Sequence, residues 1–305
     1  MLRIKKSILA MYNHLEENYR NQLFHQRANQ LNESVLNSTK MGVTDYKYVD
    51  NHQIIVSLTT FGVRLSQVYL SIESIMQQTK QANRIVLWLS KELEGTTLPQ
   101  TLINQMKRGL EIYYCDDIRS YKKLIPSLKK FPNDAIITID DDLIYPITAL
   151  ESLINSYIED SSYIYFNRAH RAKLSKDKFM PYKNWEQRIS YEDVSKLNFP
   201  TTGGGTLFPP HIFNDEVFNE EVFMKDCKFA DDVWFYAMTL YNDKRSRRSK
   251  AYMIDLNGGI LENISAQGTS LFSVNVGKNL NDEQLNTVFS RYNLFDKLNS
   301  TCKCN

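Results

Sequence analysis

Apolar residues are scattered over the first fifty positions and then gather into short, evenly spaced runs. Residues 1–50 are rich in Asn, Gln and Glu with isolated Leu, Tyr and Phe. That pattern predicts a helical extension acting as a packing arm, followed by a loose connection over Met41–Asp50. From His52 the character changes. Ile54–Leu58 is a continuous apolar run that ends in Thr59-Thr60-Phe61-Gly62, as a buried strand feeding a loop would. Leu65, Val68, Ile72, Ile75 and Met76 then recur at helical spacing. Arg84–Leu89 predicts a second strand, Pro99–Met106 a helix closed by Gly109, and Leu110–Tyr114 a third strand. A helix over Tyr121–Lys130 and a turn at Pro132-Asn133-Asp134 lead to a fourth strand, Ala135–Ile139, which runs directly into Asp140-Asp141-Asp142.

Strands alternating with helices at this spacing predict an α/β fold, a mostly parallel sheet flanked by helices on both faces. Beyond Pro146 the alternation loosens. A helix at Thr148–Tyr157 and a strand at Tyr163–Asn167 precede a polar, aromatic-rich stretch to Pro200, which reads as an α+β region completing the site. The expected division is a 1–50 extension and a 51–305 domain, with 51–146 as its nucleotide-binding half and 147–305 as its acceptor-binding half.

Composition narrows the partners. The formal net charge of +2 over 305 residues is too small to make nucleic acid the expected ligand. No apolar run approaches the roughly 20 residues that span a bilayer, and the N-terminal stretch lacks the apolar core and cleavage site of a signal peptide. The four cysteines, at 115, 227, 302 and 304, show no metal-type pairing. Together these predict a cytoplasmic protein.

Ligands of parallel α/β sheets bind beyond the carboxyl ends of the strands, where both Thr59–Arg64 and Asp140–Asp142 fall. Three adjacent carboxylates at a strand end repel one another unless a cation neutralises them. Hard oxygen donors suit Mg²⁺ or Mn²⁺, with Asp140 and Asp142 as ligands and Asp141 beside them. A solvated acidic turn capping the next helix is the bland reading. Asp231 and Asp232 precede Val233, Tyr236, Ala237 and Leu240 at helical spacing, so they stand at a helix start. One reading makes them N-caps; the other makes them catalytic carboxylates, with one capping and one working as a compromise.

Gly203-Gly204-Gly205 would let backbone amides approach a ligand, or form an ordinary turn. Thr59, Thr60, Arg64, Lys122 and Lys123 are candidate contacts to nucleotide phosphates or base. The run Lys244–Lys250 (KRSRRSK) reads first as a solvated helix C-cap and second as a clamp on diphosphate, acidic glycan or anionic membrane. His170 and His211 form no ligand cluster.

Taken in order, the Thr-Thr-Phe-Gly-x-Arg loop, Lys-Lys-Leu-Ile-Pro at Lys122–Pro126, Asn133-Asp134, Asp140-Asp141-Asp142-x-x-Tyr-Pro, the glycine loop and Ala230-Asp231-Asp232 resemble the GT-A superfamily of nucleotide-sugar glycosyltransferases. The likeness covers about His52–Tyr241, with looser support at Asn281–Gln284. It points toward bacterial capsule and surface-polysaccharide transferases of the heparosan α-N-acetylglucosaminyl type, and distantly to exostosins. The resemblance implies a GT-A, Rossmann-like fold and a DxD metal site at Asp140 and Asp142. It also implies a UDP-sugar donor and an oligosaccharide, polysaccharide or lipid-linked glycan acceptor, for which peripheral contact at the cytoplasmic membrane face would be natural; stereochemistry does not follow from it, and the lean is to retention.

Two other classes stand beside it. A sugar-phosphate nucleotidyltransferase shares the fold and the acidic site but normally carries a glycine-rich basic loop after the first strand, and Thr59–Arg64 is poor in glycine. A non-catalytic glycan-binding module leaves the acidic triad unexplained. A haloacid-dehalogenase-type phosphatase needs a threonine that Asp140–Tyr145 lacks.

Overall fold

The computed structural model describes residues 2–176, 178–249, 259–263 and 280–299. The CxC cysteines Cys302 and Cys304, and Lys250 of the basic run, lie outside the described residues. Four apolar runs form the parallel half of one sheet: β1 (Ile54–Thr59), β2 (Arg84–Ser90), β3 (Leu110–Cys115) and β4 (Ala135–Thr138). They line up as β4-β1-β2-β3, every pair parallel.

These strands read as unbroken apolar runs because both faces are covered. On one face Ile54, Val56, Leu58, Ile85, Leu87 and Ile137 pack with residues of helices Tyr69–Met76 and Ala149–Glu159. On the other, Ile55, Val86, Trp88 and Ile136 pack with residues of helices Ile125–Lys130, Asp231–Tyr241 and Leu280–Arg291. Burying a Val, Leu or Ile side chain contributes about 1.5–3 kcal/mol, so this two-sided alternation is what holds the strand ends in place.

The sheet continues past β4 with strands Thr206–Phe208, Ile164–Phe166, Ser246–Arg248 and Val194–Ser195, making eight among the described residues. Thr206–Phe208 runs antiparallel to both of its neighbours, with Thr206 opposite Thr138 and Phe166. Its starting end therefore lies at the carboxyl ends of β4 and of Ile164–Phe166. That single reversal brings Gly203–Gly205 to the edge where β4 delivers its aspartates. Ser246–Arg248 pairs parallel with Ile164–Phe166, so the middle of the basic run forms a strand, while Lys244 at its start closes the helix that ends at Tyr241, its N donating to Thr239 O at 2.9 Å.

The N-terminal extension is a helix, α1 (Leu2–Asn37). Its C-terminal half docks on the body: Phe24, Leu31 and Val35 are buried, and Ser34 Oγ donates to Glu73 Oε1 at 2.7 Å. Glu73 is itself fully buried and takes both of its oxygens to Arg108 Nη1 at 2.9 Å. No helix among the described residues is long and apolar enough to cross a membrane.

Candidate active site at the carboxyl edge of the sheet

The chain emerging from β1 supplies Thr60 and Arg64, both buried. Thr60 Oγ1 donates to Asp141 Oδ2 at 2.6 Å, and Arg64 Nη1 donates to Asp141 Oδ1 at 2.8 Å. Arg64 also stands 3.2 Å from Asp142 Oδ2. Asp141 is thus committed to holding the β1 and β4 loops together, which leaves Asp140 and Asp142 as the outward-acting members of the triad.

The 3₁₀ turn Arg119–Lys123, just ahead of helix Ile125–Lys130, supplies Lys123, whose side chain is 5% exposed. Its Nζ donates to Asp140 Oδ1 at 2.9 Å and lies 3.0 Å from Asp231 Oδ2. Burying an ammonium costs several kcal/mol unless opposite charges surround it, and here two carboxylates from different elements do so. Burial alone would lower the lysine pKa; Asp140, Asp231 and Asp232 outweigh it and hold the group well above its ordinary value. The same contact works on Asp140. Burial raises its pKa, but the Lys123 charge and hydrogen bond, with Arg168 and Arg64, carry it below the usual carboxylate range.

Asp231 and Asp232 open helix Asp231–Tyr241, and Ala230 is the N-cap, with no side-chain cap bond. Neither aspartate caps. Asp232 Oδ1 accepts from Thr202 N at 2.8 Å and from Thr202 Oγ1 at 2.5 Å, and Thr202 Oγ1 also reaches Asp231 Oδ2 at 3.2 Å. Burial, then the charge of Asp231, pushes Asp232 up to about 6.

The glycine loop is shaped by close approach. A Cβ on Gly203 would sit 1.6 Å from Asp140 Oδ2, and one on Gly204 would sit 2.5 Å from Arg168 Cβ. Gly205 has a φ of +92°, a conformation that side chains strain to adopt. Tyr145 fastens the loop to the triad: its hydroxyl accepts from Asp140 N at 2.8 Å and donates to Gly203 O at 2.5 Å. Thr138 Oγ1 donates to Thr202 O at 2.8 Å.

Two expected members fall elsewhere. Thr59 Oγ1 donates to Trp88 O at 2.8 Å and so belongs to the sheet, while Lys122, though buried, pairs with Asp117. Two further residues join the cluster. Thr202 binds both Asp231 and Asp232, and Arg168 Nε donates to Thr201 Oγ1 at 2.7 Å while its charge acts on Asp140 and Asp142. Arg168 was findable by the logic that found Asp140, since it follows the strand Ile164–Phe166 at the same edge. Asn281–Gln284 supports the site from behind: Gln284 Oε1 accepts from Phe229 N at 3.0 Å, two residues ahead of Asp231.

Among the described residues no three His, Cys, Asp or Glu side chains converge into a closed metal cage. The donor chemistry still suits a hard cation. Asp142 is raised to about 7, first by burial and then by the charges of Asp140 and Asp141, which marks a negative field that a dication would relieve. Mg²⁺ is ordinarily held by one or two carboxylates, with water and substrate phosphates completing its shell.

No protein-family model and no curated protein matches this chain. Solved structures resemble it weakly. An inositol-1-phosphate CTP transferase from T. maritima has 11% identity and a TM-score of 0.39, covering 66% of this chain and 86% of its own. CMP:2-keto-3-deoxy-manno-octonic acid synthetase in complex with CTP has 9% identity and a TM-score of 0.40, covering 68% and 93%. HddC from Yersinia pseudotuberculosis has 13% identity and a TM-score of 0.34, covering 52% and 77%. Likeness at this level carries no activity across.

It does correct the glycosyltransferase expectation. Of these structures one is named a CTP transferase and one a synthetase in complex with CTP, none is named a glycosyltransferase, and nothing matched on sequence supplies a GT-A relationship. The UDP-sugar donor, the glycan acceptor, contact with the membrane face and a place in capsule synthesis are withdrawn with it. What remains is a mixed α/β fold with a mostly parallel sheet flanked by helices.

Proposed function

We propose that this chain is a nucleotidyltransferase that joins the α-phosphate of a nucleoside triphosphate to the phosphate of a phosphorylated sugar or polyol. An oxygen of the acceptor phosphate forms the new bond to the α-phosphorus. The bond from that phosphorus to the bridging oxygen breaks, and pyrophosphate leaves with the electron pair.

One observation carries this reading: three cationic side chains from separate elements, Arg64, Lys123 and Arg168, gather around the acidic cluster at this edge of the sheet. A hydroxyl acceptor needs a base with a vacant lone pair within reach of its proton. A phosphate acceptor is ionised at neutral pH and needs none. What it needs is positive charge to offset two approaching anions; Arg64 and Lys123 are spent on the carboxylates, so Arg168 and a divalent ion at Asp140 and Asp142 would supply it. The poverty of glycine after β1 is less of an obstacle than the sequence suggests, because Gly62 has a φ of +55° with open space where a side chain would stand, and the basic residue of that loop is the buried Arg64.

In this reading residues 51–146 hold the nucleotide and 147–305 the acceptor. Asp140 and Asp142 would hold Mg²⁺ or Mn²⁺, which supplies a Lewis acid for phosphate oxygens. Lys123 fixes Asp140 in place, and Arg168 faces the acceptor phosphate. The test is a thermal-shift panel of nucleoside triphosphates with Mg²⁺. Stabilisation by one triphosphate, lost in Asp142→Asn, is expected. No response to any triphosphate, with release of nucleoside diphosphate from a nucleotide sugar instead, would overturn the proposal.

A further inference from the structure

Beside the acidic triad, one carboxylate oxygen stands between two guanidinium groups from separate elements. Glu262 Oε1 accepts from Arg188 Nη2 at 2.8 Å and lies 4.0 Å from Arg168 Nη1. The side chains of Glu262, Arg188 and Arg168 are 32%, 57% and 21% exposed, so a dissolved anion has access to the same place.

Each partner is positioned by bonds of its own. Arg168 Nε donates to Thr201 Oγ1 at 2.7 Å, and Thr201 N donates to Arg168 O at 3.1 Å. Arg188 is held through its backbone, which has a φ of +53° and whose N donates to His170 Nδ1 at 3.0 Å. His170 is buried, and burial followed by the charges of Arg168 and Arg188 lowers it to about 4. Its ring is therefore neutral at neutral pH and keeps the lone pair that this bond requires. Glu262 arrives from the side of the triad. It lies opposite Leu143 where strands Leu261–Glu262 and Leu143–Ile144 pair antiparallel, and Asn263 N donates to Asp142 O at 2.8 Å.

We infer that Arg168 and Arg188 together seat the phosphate of the acceptor, and that Glu262 fills this seat as an internal anion until the acceptor displaces it. The identity of the anion rests on the proposed reaction. Three features favour an exchangeable carboxylate over a permanent tie. The Arg188–Glu262 pair is open to solvent, and such pairs contribute little. Arg168 comes no nearer than 4.0 Å to a carboxylate among the described residues, so one carboxylate does not serve both arginines. A phosphate monoester brings about two negative charges and three acceptor oxygens, enough to engage both guanidinium groups with charge-assisted hydrogen bonds.

The test follows the unfolding temperature of the full chain through a titration with inorganic phosphate, at constant ionic strength and without divalent metal. An anion that binds the folded chain raises that temperature with its concentration. Glu262→Gln is expected to bind phosphate about threefold or more tighter than the parent, because the competing charge is gone. Arg188→Met, at a largely exposed side chain, should weaken binding about tenfold, in the parent and in Glu262→Gln alike. A purely structural tie at Glu262 would shift the unfolding temperature without phosphate and leave the response to phosphate as in the parent. That result, equal phosphate binding by Arg188→Met, or no stabilisation of any form by phosphate overturns the inference.

Failure of the seat and failure of the reaction are separable. Pyrophosphate release from a triphosphate and a sugar phosphate, with phosphate binding unchanged in Glu262→Gln, removes the seat and keeps the reaction. Phosphate binding that moves as expected in both variants, with no pyrophosphate from any pair, keeps the anion seat and removes the reaction.

Discussion

Lys123 Nζ stands 3.0 Å from Asp231 Oδ2 while donating to Asp140 at 2.9 Å, so one buried ammonium ties the end of β4 to the start of a helix some ninety positions later. The candidate site owes its assembly to this contact. Removing one partner of a buried pair leaves uncompensated charge and costs about 3–5 kcal/mol. Lys123→Met is expected to lose stability on that scale in urea unfolding, and Lys123→Arg to lose less. A loss below about 1 kcal/mol, the range of exposed pairs, would show that the contact is not structural.

Gly203 is the closest approach to Asp140. A methyl carbon at this position would stand 1.6 Å from Asp140 Oδ2, so Gly203→Ala must push the carboxylate or the loop aside. Overpacking of this kind costs about 1–3 kcal/mol, and the expected signature is a folded protein with lost Mg²⁺ affinity. Titration calorimetry reads this directly, and unchanged metal binding would contradict it.

Tyr145 offers a finer probe. Its hydroxyl serves Asp140 N and Gly203 O together, so Tyr145→Phe leaves one buried and one partly buried group without that partner. The cost of unsatisfied buried groups is about 1–3 kcal/mol each, and the unfolding midpoint should fall with the slope of the transition unchanged. A neutral substitution would mean that the loop is held by other bonds.

Asp142 makes stability depend on pH. Its carboxyl is raised from 3.8 to about 7 by burial, then by Asp140 and Asp141. Between those values the folded chain keeps a proton that the unfolded chain has lost, so the contribution of this group is greatest below about 4 and falls as pH rises toward 7. One proton corresponds to at most about 1.4 kcal/mol per pH unit. Asp142→Asn removes this contribution, and its stability relative to the parent should improve steadily between pH 4 and 7. A difference that stays constant across the range would contradict the assignment.

The sequence was most informative where burial is two-sided. The runs Ile54–Leu58, Arg84–Leu89, Leu110–Tyr114 and Ala135–Ile139 match β1 to β4 within a residue or so at each end, because strands covered on both faces must be apolar throughout. The other half of the sheet was harder to read. Thr206–Phe208 and Ser246–Arg248 are three residues each, too short for periodicity to declare, and Arg247 and Arg248 resemble a solvated run more than a strand. The acidic triad could be located but its division of labour could not, since what separates Asp141 from its neighbours is Arg64, brought to it by folding. Reading Asp231 and Asp232 as caps failed for a related reason: the bonds they make are to Lys123 and Thr202, distant in sequence.

Nucleotidyl transfer to a phosphate acceptor is read most directly as pyrophosphate release. The full chain would be incubated with each nucleoside triphosphate, Mg²⁺ and a set of sugar phosphates, with Asp142→Asn alongside. Pyrophosphate is expected to form only when one triphosphate and a phosphorylated acceptor are present together, and not in Asp142→Asn. Pyrophosphate formation with the unphosphorylated sugar in place of its phosphate, or none with any pair while the protein is folded and binds Mg²⁺, would contradict it.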